Sequence, residues 1–84
     1  MKQANRASLR EIVATNIRLL RAERGLSQEA LALEAGINRT YVSAVERAQK
    51  NVSVDNIEKI AQGLKVEPWV LLRKPLRVSA RSKT

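Results

Sequence analysis

Between residues 28 and 47 the chain reads QEALALEAGINRTYVSAVER, and one glycine within it limits the folds open to the rest. Gly36 stands where a helical pattern carrying Leu31 and Ala35 inward breaks off. A chain that ends a helix and turns sharply needs a residue that tolerates φ > 0, and Gly does so without steric cost. Small Ala32 lets a second helix cross closely over the first, Ile37 plugs the turn, and Asn38 is a good N-cap for the next helix. That second segment buries Val42 and Val45, three residues apart, and turns Arg39, Thr40, Tyr41, Ser43, Ala44 and Arg47 outward. The pattern predicts two short helices meeting at a tight turn, one of them presenting a polar, basic strip. The plainer reading is an ordinary helical hairpin in a small bundle.

The flanks extend this into an all-α chain. Ser8 and Glu11 have the S-x-x-E form of a capping box, which opens a helix over about 9–24 with Leu9, Ile12, Val13, Ile17 and Leu20 on one face and Gly25 as its stop. Ser27 caps the next helix at Gln28, and the helix after the turn covers about 39–48. A polar loop, AQKNVS, leads to Ser53 and Asp55, which suit the start of a helix burying Val54, Ile57, Ile60, Ala61 and Leu64, with Gly63 at its end. Glu67 and Pro68 then open a short fifth helix through Trp69, Val70, Leu71 and Leu72. With Tyr41 and Trp69 as the only aromatics, the core must be aliphatic. The expectation is one compact five-helix bundle over 9–73, flanked by mobile basic tails at 1–8 and 74–84.

Several function classes drop out. Cys and His are both absent, so the chain has no disulfide and no thiolate or imidazole metal site. Its carboxylates are spread rather than clustered, no nucleophile stands beside a base, and no glycine-rich phosphate loop occurs; an enzyme is not expected, nor a cofactor. No apolar run approaches the roughly 20 residues of a membrane span, and MKQANRASLR lacks the apolar stretch of a signal peptide. A cytoplasmic protein is therefore expected.

The net charge of +8 suits a polyanionic partner, but its distribution matters more than its size. Residues 9–72 hold nine basic and eight acidic side chains, whereas Lys2, Arg6, Arg73, Lys74, Arg77, Arg81 and Lys83 lie in tails without an acid. From Asn38 to Ser53 the only acid is Glu46, against Arg39, Arg47 and Lys50. The folded part must bind by arrangement rather than by bulk charge.

The stretch 28–47, with QKNVSVDNIEKIAQGLKV after RTYVSAVER, resembles the helix-turn-helix of the Cro and phage-repressor type, often called XRE-like, from about Ile12 to Leu72. Within that family it is most similar to the controller proteins of restriction-modification systems. The resemblance implies a lambda-repressor-like DNA-binding domain with its helix-turn-helix at helices 2 and 3. It also implies a bacterial, nucleoid-associated regulator whose homodimer sets two copies of helix 3 in successive major grooves of a pseudo-palindromic operator. Arg39 would pair with guanine, while Thr40 and Ser43 would reach base edges; Ala44 replaces a longer polar residue common in relatives, leaving more of the readout to DNA shape. Gln28, Asn38, Tyr41, Arg47, Gln49, Lys50 and Asn51 would contact phosphate, Gln28 at the positive end of a helix dipole.

The resemblance further places a buried ion pair between Arg21 and Glu46, and a two-fold contact at Trp69, Val70 and Leu71. Plainer readings exist for each: a solvated Gln28 or Glu46, a phosphate contact for Arg39, and a Trp69 that only closes the base of the monomer. Val70 and Leu71 are thus expected to cross the axis before Trp69. Two positions depart from the family: Leu33 lies off the buried stripe where relatives are more often polar, and Glu67 replaces the usual Ser or Asp. A protein-binding module, such as an antitoxin masking a toxin, is the rival to a DNA-binding regulator. No small-molecule effector is expected, so protein dosage would govern occupancy.

Overall fold

Serine hydroxyls open three of the helices and an asparagine amide opens the other. In this computed structural model, which describes residues 8–75, the chain forms α1 (Leu9–Arg24), α2 (Gln28–Ala35), α3 (Arg39–Glu46) and α4 (Val54–Leu64), followed by a 3₁₀ turn, Pro68–Leu71. Apart from Ser8, Lys74 and Pro75, the expected tails lie outside the described residues. Ser8 accepts from the Glu11 amide at 3.1 Å while the Glu11 carboxylate accepts from the Ser8 amide, completing the capping box. Ser27, Asn38 and Ser53 accept from Ala30, Thr40 and Asn56 amides at 2.9, 2.7 and 3.0 Å. Each bond satisfies a donor that the first helical turn leaves unpaired.

The core is aliphatic, drawn from every helix: Val13 and Ile17 of α1, Leu31 and Ala32 of α2, Val42 and Val45 of α3, and Ile60, Ala61 and Leu64 of α4, closed by Leu71. Packing of α4 chiefly against α2 fixes the platform from which α3 projects. Gly36 turns the chain between α2 and α3 at φ 71°, and an added Cβ there would meet nothing within 4 Å, so conformation rather than space demands glycine. At Gly63 the reverse holds. A Cβ there would stand 3.0 Å from Leu31 Cδ1 and 3.2 Å from the Ala35 amide nitrogen, so the missing side chain lets α4 press against α2.

Four sequence expectations need correction. The fifth helix is a single 3₁₀ turn rather than an α-helix, making four α-helices among the described residues. Pro68 brings no N–H and Glu67 provides no side-chain cap, leaving bonds from Val70 to Glu67 and from Leu72 to Trp69. Helix α3 stops at Glu46, short of 48, because Ala48 takes a left-handed conformation, φ 58°; α4 ends with Gly63 in its last turn, as expected, and its left-handed cap is Lys65 at φ 61°. Leu9 and Val54 are exposed, not buried. Each directly follows its capping serine, and a helical side chain leans over the turn N-terminal to it, which at that position does not exist.

The fourth correction concerns the expected dimer residues. Leu71 is fully buried in the monomer core, so its side chain cannot reach a partner, whereas Trp69 is 58% exposed. Trp69 and Leu72, three residues apart, share the open side of the turn, and Leu71 lies on the side that packs against the core. Leu72 is exposed and Val70 half-buried. Arg73 lies over the Trp69 ring, 5.2 Å from its centroid.

Candidate nucleic-acid interface

Helix α3 presents its strip because its two buried valines anchor one face and Asn38 fixes its start. Arg39 and Thr40 are exposed in the first turn, Ser43 and Ala44 lie half-buried one turn on, and Arg47 is exposed at the end. Arg47 donates to Gln49 Oε1 at 2.9 Å and to the Ser43 hydroxyl, which holds its guanidinium along the outer face. The loop after α3 is tied back to the fold: the Tyr41 hydroxyl donates to the Asn51 carbonyl at 3.2 Å, and Arg10 of α1 donates to the Asn51 side chain. Gln49, Lys50 and Asn51 are exposed beside it.

The acid on this helix is withdrawn from the surface. Glu46 is 3% exposed and receives Arg21 Nε on Oε2 at 2.7 Å and Arg21 Nη2 on Oε1 at 2.9 Å. Such a two-point pair is short and directional, and its hydrogen bond to Glu46 raises the Arg21 guanidinium above its ordinary value, so the cation persists at any working pH. Arg21 also donates to the Leu26 carbonyl at 2.8 Å, binding the α1 end to the turn before α2. Gln28 Nε2 donates to Glu46 Oε1 at 3.1 Å, so its amide spans α2 and α3 and is engaged within the fold. The backbone at the start of α2 is where an anion would be attracted. Arg18 donates to the Glu46 carbonyl and thereby occupies an acceptor at the end of α3.

Residues of α1 that sequence reasoning left aside thus help place α3. Arg18 lies one turn before Arg21, but nothing in its neighbours distinguishes it from a solvated arginine. Asn16 offers a clearer signal, a polar residue between Val13, Ile17 and Leu20 on an apolar face. It is buried and donates to the Leu71 and Arg73 carbonyls, both at 2.8 Å, securing the end of the 3₁₀ turn. Leu33 is 82% exposed on α2.

Among the described residues no group of acids could hold a metal ion, and no helix is long and apolar enough to cross a membrane. What the arrangement offers is a rigid helix with an arginine, two hydroxyls and a cationic flank, and no exposed carboxylate on that helix.

A family model described as helix-turn-helix matches residues 17–68. A hypothetical transcription factor from Neisseria meningitidis serogroup B is 51% identical over 67 residues, covering 80% of this chain and 63% of that protein. The control protein C.BamHI from Bacillus amyloliquefaciens is 44% identical over 66 residues, 77% of this chain and 82% of the relative. The restriction-modification controller protein C.Esp1396I, solved as a tetramer in complex with its natural 35 base-pair operator, superposes with a TM-score of 0.72 at 35% identity, covering 77% of this chain and 86% of that one. By its motif, its fold and these relatives, the chain belongs to the XRE-type helix-turn-helix family.

Proposed function

We infer that this chain is a DNA-binding transcriptional regulator, and not an enzyme, that reads double-stranded DNA through α3. The observation that carries this is the α3 surface itself: Arg39, Thr40 and Ser43 are presented on a helix whose lone carboxylate is buried against Arg21. Arg39 pairs with the guanine edge, Thr40 and Ser43 reach neighbouring bases, and small Ala44 permits close approach. Asn38, Tyr41, Arg47, Gln49, Lys50 and Asn51 position the helix on phosphate; Gln28 does so through the start of α2, its side chain being held by Glu46. A controller role in restriction-modification is favoured by the control-protein relatives and by the operator complex of C.Esp1396I. The same relatives do not favour a toxin-masking module.

The active form is a homodimer, because one protomer holds one recognition helix and a pseudo-palindromic operator needs two. Its two-fold contact centres on Trp69, with Val70 and Leu72 beside it, the apolar side chains that the 3₁₀ turn leaves open. Half-sites then lie ~34–36 Å apart, as for phage-repressor dimers, and the protein resides on the bacterial nucleoid in the cytoplasm. Selection of bound duplexes from a random pool tests this. An inverted repeat should emerge at that spacing; a pool that stays random after repeated selection overturns it.

A further inference from the structure

Arg39, Ser43 and Arg47 follow one another at intervals of four residues, so they stack along one face of α3. The two arginines carry donors only, whereas a serine hydroxyl holds one proton and two lone pairs and is able to address a base either way. The structure removes that ambiguity. Arg47 donates from Nη1 to the Ser43 hydroxyl and from Nε to Gln49 Oε1 at 2.9 Å, so its guanidinium is held at two points. A bond from a cation draws electron density from the Ser43 oxygen, which weakens its remaining lone pair and strengthens its O–H as a donor. The acid on this helix does not compete for Arg47, since Glu46 is 3% exposed and paired with Arg21. Arg47 keeps its other N–H groups for phosphate.

We propose that Ser43 reads DNA as a donor only and so selects a base with an acceptor on its major-groove edge, Arg47 being the positioning residue that sets this polarity. The inference rests on the DNA-binding reading above and adds the chemistry of one base contact. Guanine offers N7 and O6, adenine N7 and thymine O4, whereas cytosine offers only its amino group. With a single proton to give, Ser43 addresses one base and excludes cytosine from that place. Arg39, one turn earlier, likewise meets acceptors, so the face as a whole is matched to acceptor edges.

Dissociation constants decide this, measured for wild type, Ser43→Ala, Arg47→Ala and Arg47→Lys on a duplex selected from a random pool, on copies of it changed one base pair at a time, and on an unrelated duplex. Ser43→Ala should lose discrimination at one base pair of each half-site, by roughly 3- to 10-fold. At that pair the wild type should lose the same factor when the acceptor is removed, with a 7-deazapurine, with 2-aminopurine for guanine or with 5-methyl-2-pyrimidinone for thymine. Ser43→Ala should not respond to those analogues, which isolates the hydroxyl from any effect on base pairing. Arg47→Ala should relax the same base pair and also weaken every duplex, while Arg47→Lys, whose ammonium also donates, should keep the preference. A loss on removing an amino group instead, with purine for adenine or 2-pyrimidinone for cytosine, overturns the proposal, because Ser43 would then be accepting. Full discrimination retained by Ser43→Ala at every pair also overturns it, and leaves the hydroxyl to the Arg39 carbonyl one turn back. A preference that survives Arg47→Ala removes the role of Arg47. Equal binding of the wild type to selected and unrelated duplexes removes the DNA reading itself and this proposal with it, whereas the other outcomes leave that reading standing.

Discussion

Arg21 and Glu46 meet side by side, two nitrogens on two oxygens at 2.7 and 2.9 Å, and thereby join the end of α1 to the end of α3. The pair serves two ends. It fixes α3, the helix proposed to face DNA, and it withdraws from that surface a carboxylate that would repel phosphate. Glu46→Ala strands a guanidinium that is only 21% exposed and leaves the Gln28 amide without its acceptor. It should cost about 3 kcal/mol, measured by urea unfolding; an unchanged midpoint would show the pair to be energetically idle.

Gly63→Ala should destabilise the fold by about 1 kcal/mol, although the same change in an open helix would gain about as much. The added methyl would press on Leu31 Cδ1, which can yield, and on the Ala35 amide nitrogen, which belongs to α2 and cannot yield without moving the helix-turn-helix. Thermal unfolding decides the sign. A rise in Tm would mean that α2 and α4 can part at little cost.

Trp69→Glu and Leu71→Glu should fail in different ways. The first places a charge on an exposed side chain and should yield a folded monomer with weak operator binding, while the second buries a charge in the core and should unfold the chain. Sedimentation and circular dichroism on the two variants separate the outcomes. A Trp69→Glu protein of unchanged mass would move the two-fold contact to another surface.

Lys65→Gly should stabilise by about 1 kcal/mol, because Lys65 caps α4 in a left-handed conformation that costs an ordinary residue about that much. Its unfolding midpoint in urea gives the answer directly. No gain would place the compensation in contacts of the lysine stem.

The helices are legible in the sequence because their punctuation is local: Ser8, Ser27, Asn38 and Ser53 open helices by bonding to amides two or three residues on, and Gly25 and Gly36 close them by their own φ. The features that sequence reading misses depend on approaches between distant segments. Asn16 meets carbonyls more than fifty residues away, and Gly63 is empty for the sake of Leu31 and Ala35. Which of Trp69, Val70 and Leu71 enters the core depends on how the 3₁₀ turn docks on α1 and α4, and the chain buries Leu71. At the candidate site, the Arg21–Glu46 pairing comes from resemblance rather than from spacing, and the engagement of Gln28 with Glu46 emerges only when α2 and α3 are placed together.

The most direct measurement compares dissociation constants of wild type, Arg39→Ala and Lys50→Ala on the selected operator and on unrelated duplex at one salt concentration. Arg39→Ala should cost about 1–3 kcal/mol on the operator and little elsewhere, while Lys50→Ala should weaken both duplexes similarly. Equal losses on both duplexes for Arg39→Ala would contradict base reading by α3 and reduce Arg39 to a phosphate contact.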